Sequence, residues 1–468
     1  MNLRYQLLSE AGRVVPPNSE RISQLLAVMT PKDVAVFLDL VAFHRVAPQV
    51  HLNISRSESR SPAATAILQC IAGAAENSET YLNRHQEKLA GLVADSGVAL
   101  TAIKGLAITH YYSNETGCRH VGDADILVSL QDTWRLLEYL ALNGYSFRKI
   151  RFGSYHAYLS DDRYPPYYGV CPAKKEFPDG KFRLDVHFGA FPACGYGLVG
   201  FSQSDTVEHS GGIRWPTTQK SLLINLAHVI RQGFCRFRDI NDVYLLTRAL
   251  HDGEAAAALA EVRSSHLLPV LRSMLRMICS VYETDLPSPW SAEAPGATRW
   301  ADRELLFGRR RLAERYADGV RVVWSRIWQM RYLTALSVEL FGPAAGSLRA
   351  VGGAALLFRT GRPYRMWSTE RDIDADERFV IRPVSTFQRS IDEPSVLGRL
   401  RAAGWLAKRN TRLDFWQVRA PAGAEFILSG RMVCVQTDYS GARRQPPSIE
   451  GPIRELARIA DVDVRFLP

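Results

Sequence analysis

Residues 122–128 read GDADILV and residues 183–188 read RLDVHF. Both are apolar runs that carry carboxylates where a strand heading for a core would carry none. Strand side chains alternate, so Asp123 and Asp125 share one side, about 6 to 7 Å apart, with Ala124 and Ile126 on the other. In the second run Asp185 stands between Leu184 and Val186, with His187 on its own side. A buried carboxylate without company is costly. The fold must therefore leave these groups in water, pair them with cations, or gather them around a metal ion. A solvated strand entrance is the plainer account of the first pair, because Gly122-Asp123 also reads as a turn. A salt bridge to an arginine is the plainer account of Asp185.

Gathered on adjacent strands, the three carboxylates suit hard divalent cations such as Mg²⁺ or Mn²⁺. Two such ions, roughly 3.5 to 4 Å apart, drive in-line displacement at phosphorus. Lys104-Gly105 lies between a β-rich run, Val98–Ile103, and a short helical segment. Glycine at such a junction lets backbone N–H groups approach a phosphate, and Lys104 adds a point charge. Arg119, four residues before the aspartate pair, offers a two-pronged phosphate contact. His187 is positioned to orient a carboxylate or touch substrate; a hydrogen-bonded core histidine has the same pattern.

Helices dominate before residue 96. Thr30-Pro31-Lys32-Asp33 places a capping threonine before a proline at the first helical position, and a long helix starts near Ser61-Pro62. Strands are expected over 98–103, 123–129, YSFRKI, 167–171 and 181–189, with a helix QDTWRLLEYLALNG capped by Asp132 and stopped by Gly144. Helices resume after Pro216. In this stretch His228, Arg231, Arg238, Asp239 and Asp242 recur at near-helical spacing. They read as a capped helix with interhelical ion pairs, or as one wall of a substrate pocket. Beyond a Pro/Ser/Ala/Gly-rich boundary near 284–300 lie a basic helical stretch, 309–331, and β-like pieces FVIRPV, DFWQVRA, AEFILSG and RMVCVQT. The acidic run Arg371–Asp376 has no apolar strand behind it and reads as a surface loop.

The fold class expected is α+β: a small mixed-sheet core over 96–215, helical regions over 1–95 and 216–290, and a C-terminal α/β extension over 291–468. Seven scattered cysteines without a C-x-x-C pair argue against a disulfide framework and a cysteine-rich zinc site. No apolar run nears the roughly 20 residues of a membrane span, and the first residues lack a signal-peptide core, so a cytoplasmic location is expected. A net charge of +10 suits an anionic partner.

The set IKG…R…DADILV…NGYSF…RLDVHF resembles the uncharacterised bacterial nucleotidyltransferase family of the DNA polymerase beta superfamily. LVAFHRVAP before it and LLINLAHVIRQG…RFRDINDVYLL after it extend the resemblance over about residues 20–280. The resemblance implies Asp123, Asp125 and Asp185 as metal ligands, and Lys104-Gly105 beneath a triphosphate. It implies transfer of a nucleoside monophosphate from an NTP, with ATP the first candidate, to an unidentified acceptor. A small molecule, peptide or protein suits that role better than a nucleic acid. Two positions depart from the pattern. Leu106 stands where the wider superfamily has a serine, and the third carboxylate is the shorter Asp185 in place of a glutamate. The competing readings are a transferase fold kept as a binding or scaffolding subunit, and a D-x-D glycosyltransferase. Against the latter, no nucleotide-binding α/β half precedes the motif.

Overall fold

Five helices precede the first strand, and their ends follow from local chemistry. They are α1 (Leu3–Ala11), α2 (Ser19–Ala27), α3 (Pro31–His44), α4 (Ala47–Arg56) and α5 (Pro62–Ser96). Thr30 and Asp33 cap α3 reciprocally, each side chain accepting from the other's backbone N–H at 3.3 and 3.2 Å. Ser61 caps α5, and Gly97 ends it with a left-handed φ of 62°. The computed structural model describes residues 3–294 and 380–467, except 16, 114, 148–149, 155–166, 179, 190, 194–196, 200–202, 209, 233–235, 266, 285, 391–393, 411–414 and 438–448. The expected basic helix over 309–331 and the acidic run 371–376 lie outside the described residues.

The core sheet begins with β1 (Leu100–Ile103), followed by α6 (Gly105–Ile108), β2 (Ala124–Val128) and α7 (Leu130–Leu142). Ser129 caps α7, accepting from the Asp132 N–H at 3.0 Å, while Asp132 accepts from the Ser129 hydroxyl at 2.7 Å. The helix thus starts three residues earlier than a cap at Asp132 would place it, because both residues are cap formers and serine comes first. Next come β3 (Ser146–Phe147), β4 (Ile150–Ser154), β5 (Tyr167–Phe177), β6 (Gly180–Gly189), the paired β7 (Phe191–Ala193) and β8 (Gly197–Val199), β9 (Thr206–Glu208) and β10 (Ile213–Pro216).

Strand order runs β4-β5-β6-β2-β1-β10-β9. Strands β2 and β6 are parallel, with Asp125 opposite Asp185 and Leu127 opposite His187. Strands β1 and β2 are antiparallel, with Ile103 opposite Asp125. The two acidic strands are therefore neighbours in register, although long connections separate them in the chain.

One face of this sheet is wholly apolar. Ala124, Ile126, Leu184, Val186 and Phe188 pack on α5 and α7 through Leu89, Leu92, Leu136, Leu137 and Leu140. The other face meets a helical body. Here α1–α5 share one core with α8 (Thr218–Gln232), α9 (Phe237–Ala249), α10 (Asp252–Ser264), α11 (Leu268–Tyr282) and α12 (Trp290–Glu293). Ile103 and Leu127 belong to that second core, which puts Asp125, Asp185 and His187 on the helix-facing side.

The C-terminal part carries β11 (Val380–Phe387), α13 (Pro394–Ala402), β12 (Leu406–Asn410), β13 (Phe415–Arg419), β14 (Glu425–Ser429), β15 (Met432–Thr437), α14 (Glu450–Ala460) and β16 (Val464–Phe466). Its antiparallel strands extend the core sheet through β11, which pairs with β4. The architecture is the expected α+β arrangement. Among the described residues no helix is long and apolar enough to cross a membrane.

Helix α5 also carries a buried histidine. His85 is fully buried, and its Nδ1 lies 2.6 Å from the Tyr81 carbonyl oxygen, so that nitrogen bears the hydrogen. Burial pushes the imidazole down to about 4. The unfolded chain, with an ordinary histidine near 6.5, therefore binds the extra proton first as pH falls. His85's contribution should be complete above about pH 6.5 and lost towards pH 4, amounting to roughly 2–3 kcal/mol. Urea midpoints at pH 7 and 4.5 should differ less in His85→Gln than in the parent protein.

Candidate metal and phosphate site

Strand β1 ends abruptly at Lys104, whose backbone (φ 54°, ψ −127°) lies in a region that residues with a side chain rarely occupy. This turn carries the Lys104 ammonium onto the polar face of the sheet. Its Nζ pairs with Asp125 Oδ1 and lies 3.1 Å from His187 Nε2. His187 Nε2 in turn lies 2.9 Å from Asp125 Oδ1. Burial pushes the Asp125 carboxyl up, but the Lys104 charge and the His187 contact outweigh it, holding the group well below the usual carboxylate range.

One donor atom each from Asp125, Asp185 and His187 lie within 4.8 Å of one another. Asp125 and His187 are buried and Asp185 is half-buried. Two hard carboxylate oxygens and an imidazole nitrogen are a donor set that divalent cations accept. The oxygens suit Mg²⁺ and Mn²⁺, and the nitrogen favours the transition metal. Lys104 already shows that the spot favours positive charge. Asp123 lies outside that group, exposed at the entrance to β2. Crowding by surrounding protein, and then the neighbouring Asp125 charge, raise its carboxyl above the ordinary value.

Arg119 is committed to the helical body rather than to the Asp125 cluster. It is buried, and its Nε and Nη2 grip both oxygens of the fully buried Asp242 on α9 at 2.8 and 2.6 Å. The Tyr112 hydroxyl donates to the same carboxylate at 2.7 Å. A side chain at Gly105 would overlap Arg119 Nη1, so the glycine of the turn is required by the arginine packed against it. Asp239 caps α9 by accepting from the Arg236 N–H at 2.9 Å, and Arg238 Nη2 donates to its other oxygen at 3.2 Å. His228 reaches towards the cluster from α8; burial and then the Lys104 charge push its imidazole well below its usual value. Arg231 belongs to the same helix, but its side chain lies outside the described residues.

Residues that the sequence did not single out complete the surroundings. His44 and Arg45 end α3, and the Phe237 N–H at the start of α9 donates to His44 Nδ1 at 3.1 Å. His120 lies beside Arg119. Breaking the buried Arg119–Asp242 pair should be expensive, because the arginine stays buried without its full counter-charge. Asp242→Asn is expected to cost about 3–5 kcal/mol in chemical denaturation, and Gly105→Ala should destabilise in the same direction.

Residues 30–283, from the start of α3 to the end of α11, match the uncharacterised nucleotidyltransferase family. No curated protein matches the chain. Among solved structures, a candidate nucleotidyltransferase from H. pylori shares 13% identity over 50% of this chain and 95% of its own, with a TM-score of 0.26. JHP933 from Helicobacter pylori shares 15% identity over 60% of this chain and 98% of its own, with a TM-score of 0.25. Superpositions that loose have no bearing on activity. The family match covers more than half of the chain and includes Lys104, the three carboxylates and His187. The chain belongs to the uncharacterised nucleotidyltransferase family.

Proposed function

We propose that the protein is a Mg²⁺- or Mn²⁺-dependent nucleotidyltransferase that moves a nucleoside monophosphate from an NTP, ATP the first candidate, to an acceptor hydroxyl, amine or phosphate. The observation that carries this reading is the in-register pair Asp125 and Asp185 on parallel neighbouring strands, with His187 completing a donor set within 4.8 Å. Family membership supplies the reaction class. The expected acceptor is a small molecule, peptide or protein in the cytoplasm.

Asp125, Asp185 and His187 would hold the divalent cation, with Asp123 at the rim as a further carboxylate. When bound, such an ion neutralises phosphate charge and acidifies the attacking group. The acceptor oxygen or nitrogen forms a bond to the α-phosphorus, the bond from that phosphorus to the bridging oxygen breaks, and pyrophosphate leaves. The acceptor's proton passes to solvent. Lys104 is a phosphate contact held in reserve on Asp125. Once that carboxylate has another counter-ion, the ammonium can turn to the nucleotide. Arg119 acts through Gly105 as a positioning residue, and His228 lies beside the Lys104–Asp125 pair. Most of the catalytic work is placement and charge neutralisation, as in phosphoryl transfer generally.

One observation favours a second reading. Lys104 already neutralises Asp125, which a binding or scaffolding subunit without chemistry could retain indefinitely. Incubating the protein with each α-labelled NTP, Mg²⁺ or Mn²⁺ and candidate acceptors separates the two. Label transfer with pyrophosphate release is expected, and Asp125→Asn or Asp185→Asn should reduce it about 100-fold or more. Full activity in Asp125→Asn would rule out the proposed site. Release of nucleoside diphosphate from a nucleotide-sugar would point to glycosyl transfer.

A further inference from the structure

Arg45 and Arg238 lie within electrostatic reach of Asp123 and of each other, and Arg236 joins them around His120. Arg45 is the C-cap of α3, held at a left-handed φ of 55°. Its Nη1 lies against Gly122, 3.6 Å from where a Cβ would stand. Arg236 and Arg238 are the cap and second residue of α9, a helix of 13 residues. The bond from the Phe237 N–H to His44 Nδ1 ties the end of α3 to the start of α9. The three guanidinium-bearing residues are thereby fixed by two rigid helices.

The local charge is unbalanced. Asp242 is committed to Arg119, and Asp239 is divided between the Arg236 N–H and Arg238 Nη2. Arg238 is only 6% exposed, yet its Nε has no hydrogen-bond partner among the described residues. A buried guanidinium N–H without an acceptor costs free energy that an incoming anion would recover. The neighbouring His120 registers the excess: burial first, then the fields of Arg45, Arg238, Arg119 and Arg236, push its imidazole down to about 4. Burial and the Arg238 charge likewise lower the Arg45 guanidinium from its ordinary value. The N-terminus of α9 adds its own positive end to the same place.

Position along the sheet identifies the ligand. In the antiparallel register of β1 and β2, Ile103 faces Asp125, so the Lys104-Gly105 turn runs alongside Ala124 and Asp123. The arginines thus adjoin the phosphate turn at the Asp123 end, and Asp185 lies across Asp125 from that turn. We propose that Arg45, Arg236 and Arg238 form a seat for the terminal phosphates of the nucleoside triphosphate, one that holds the pyrophosphate end while the α-phosphate lies at the Asp125–Asp185 cluster. This rests on the nucleotidyl-transfer reading for the choice of ligand. The seat itself needs no metal, and that separates the two in experiment.

Isothermal titration calorimetry in EDTA, with tripolyphosphate, ATP, AMP and orthophosphate as probes, tests it. Tripolyphosphate and ATP should bind the intact chain, AMP and orthophosphate about tenfold or more weakly, because only the longer anions satisfy several guanidinium donors at once. Arg238→Gln and Arg45→Asn should each weaken tripolyphosphate binding about tenfold, whereas Arg419→Gln, an exposed arginine of β13, should retain it. Asparagine is chosen at position 45 because it tolerates the left-handed backbone, so this variant keeps its fold if Arg238→Gln does not. Thermal melting of each variant checks this. Absence of tripolyphosphate binding, equal binding by Arg45→Asn, or AMP binding as tightly as ATP overturns the seat. Arginine-dependent binding without any nucleotidyl transfer keeps the seat and removes the transferase reading. Transfer with tripolyphosphate binding unchanged in the arginine variants does the reverse.

Discussion

The ion pair between Lys104 and Asp125 answers an electrostatic problem that the fold sets itself. Strand β2 lies in the interior of the sheet, and a carboxylate there loses most of its hydration. Two cationic or hydrogen-donating side chains, Lys104 and His187, come to it from the strands on either side. Lys104 arrives only because its own backbone accepts a conformation that most residues avoid. That strain is the counterpart of having a metal-capable carboxylate inside a sheet, and strain of this kind concentrates at functional sites.

Around this pair the molecule divides its labour by faces. The apolar side of the sheet rests on α5 and α7 and gives the acidic strands a rigid backing. The polar side is roofed by helices from both ends of the matched region. A second ion pair, Arg119 with Asp242, pins the loop before β2 to α9. The two pairs do different jobs. Asp242 is fully buried and closed in by Tyr112, while Asp125 is buried two residues along its strand from Asp123, which reaches water.

Much of this could be read from the sequence, and the exceptions have physical causes. The alternation in DADILV put Asp123 and Asp125 on one side of their strand, and that in RLDVHF put Asp185 with His187, because strand geometry is local; that the two strands lie side by side with these groups on one face follows from their pairing. The same alternation could not say that Asp123 lies at the rim while Asp125 is buried, since that depends on where the neighbouring strands begin to pair. Arg119 looked like a phosphate ligand from its spacing; its partner Asp242 is 123 residues away, beyond any local pattern. Arg45 went unremarked because a cation at the end of a helix is ordinary capping chemistry. The cap of α7 went to Ser129 for a similar reason, since two adequate cap formers lie three residues apart and pattern alone does not rank them. The C-terminal strands were visible as β-like runs, but their pairing with β4 was not, because register across that distance leaves no trace in composition.

The helical body has a consequence for how the chain is made. Its core joins residues from before and after the sheet in the chain: Asn241 donates to the Gly12 carbonyl at 2.8 Å, and Tyr282 donates to Asn241 at 2.6 Å. Asn53 meanwhile holds the carbonyls of Ala11 and Arg13 at 3.0 and 2.9 Å. During synthesis α1–α5 therefore emerge before their apolar partners on α8–α11 are made. The sheet strands must form beside an open helical face until α8–α11 leave the ribosome and close it. Transiently exposed apolar surface of this kind invites association. The window between the first helices and the last is the period in which this chain most needs protection, and the Arg119–Asp242 pair cannot close before α9 is made.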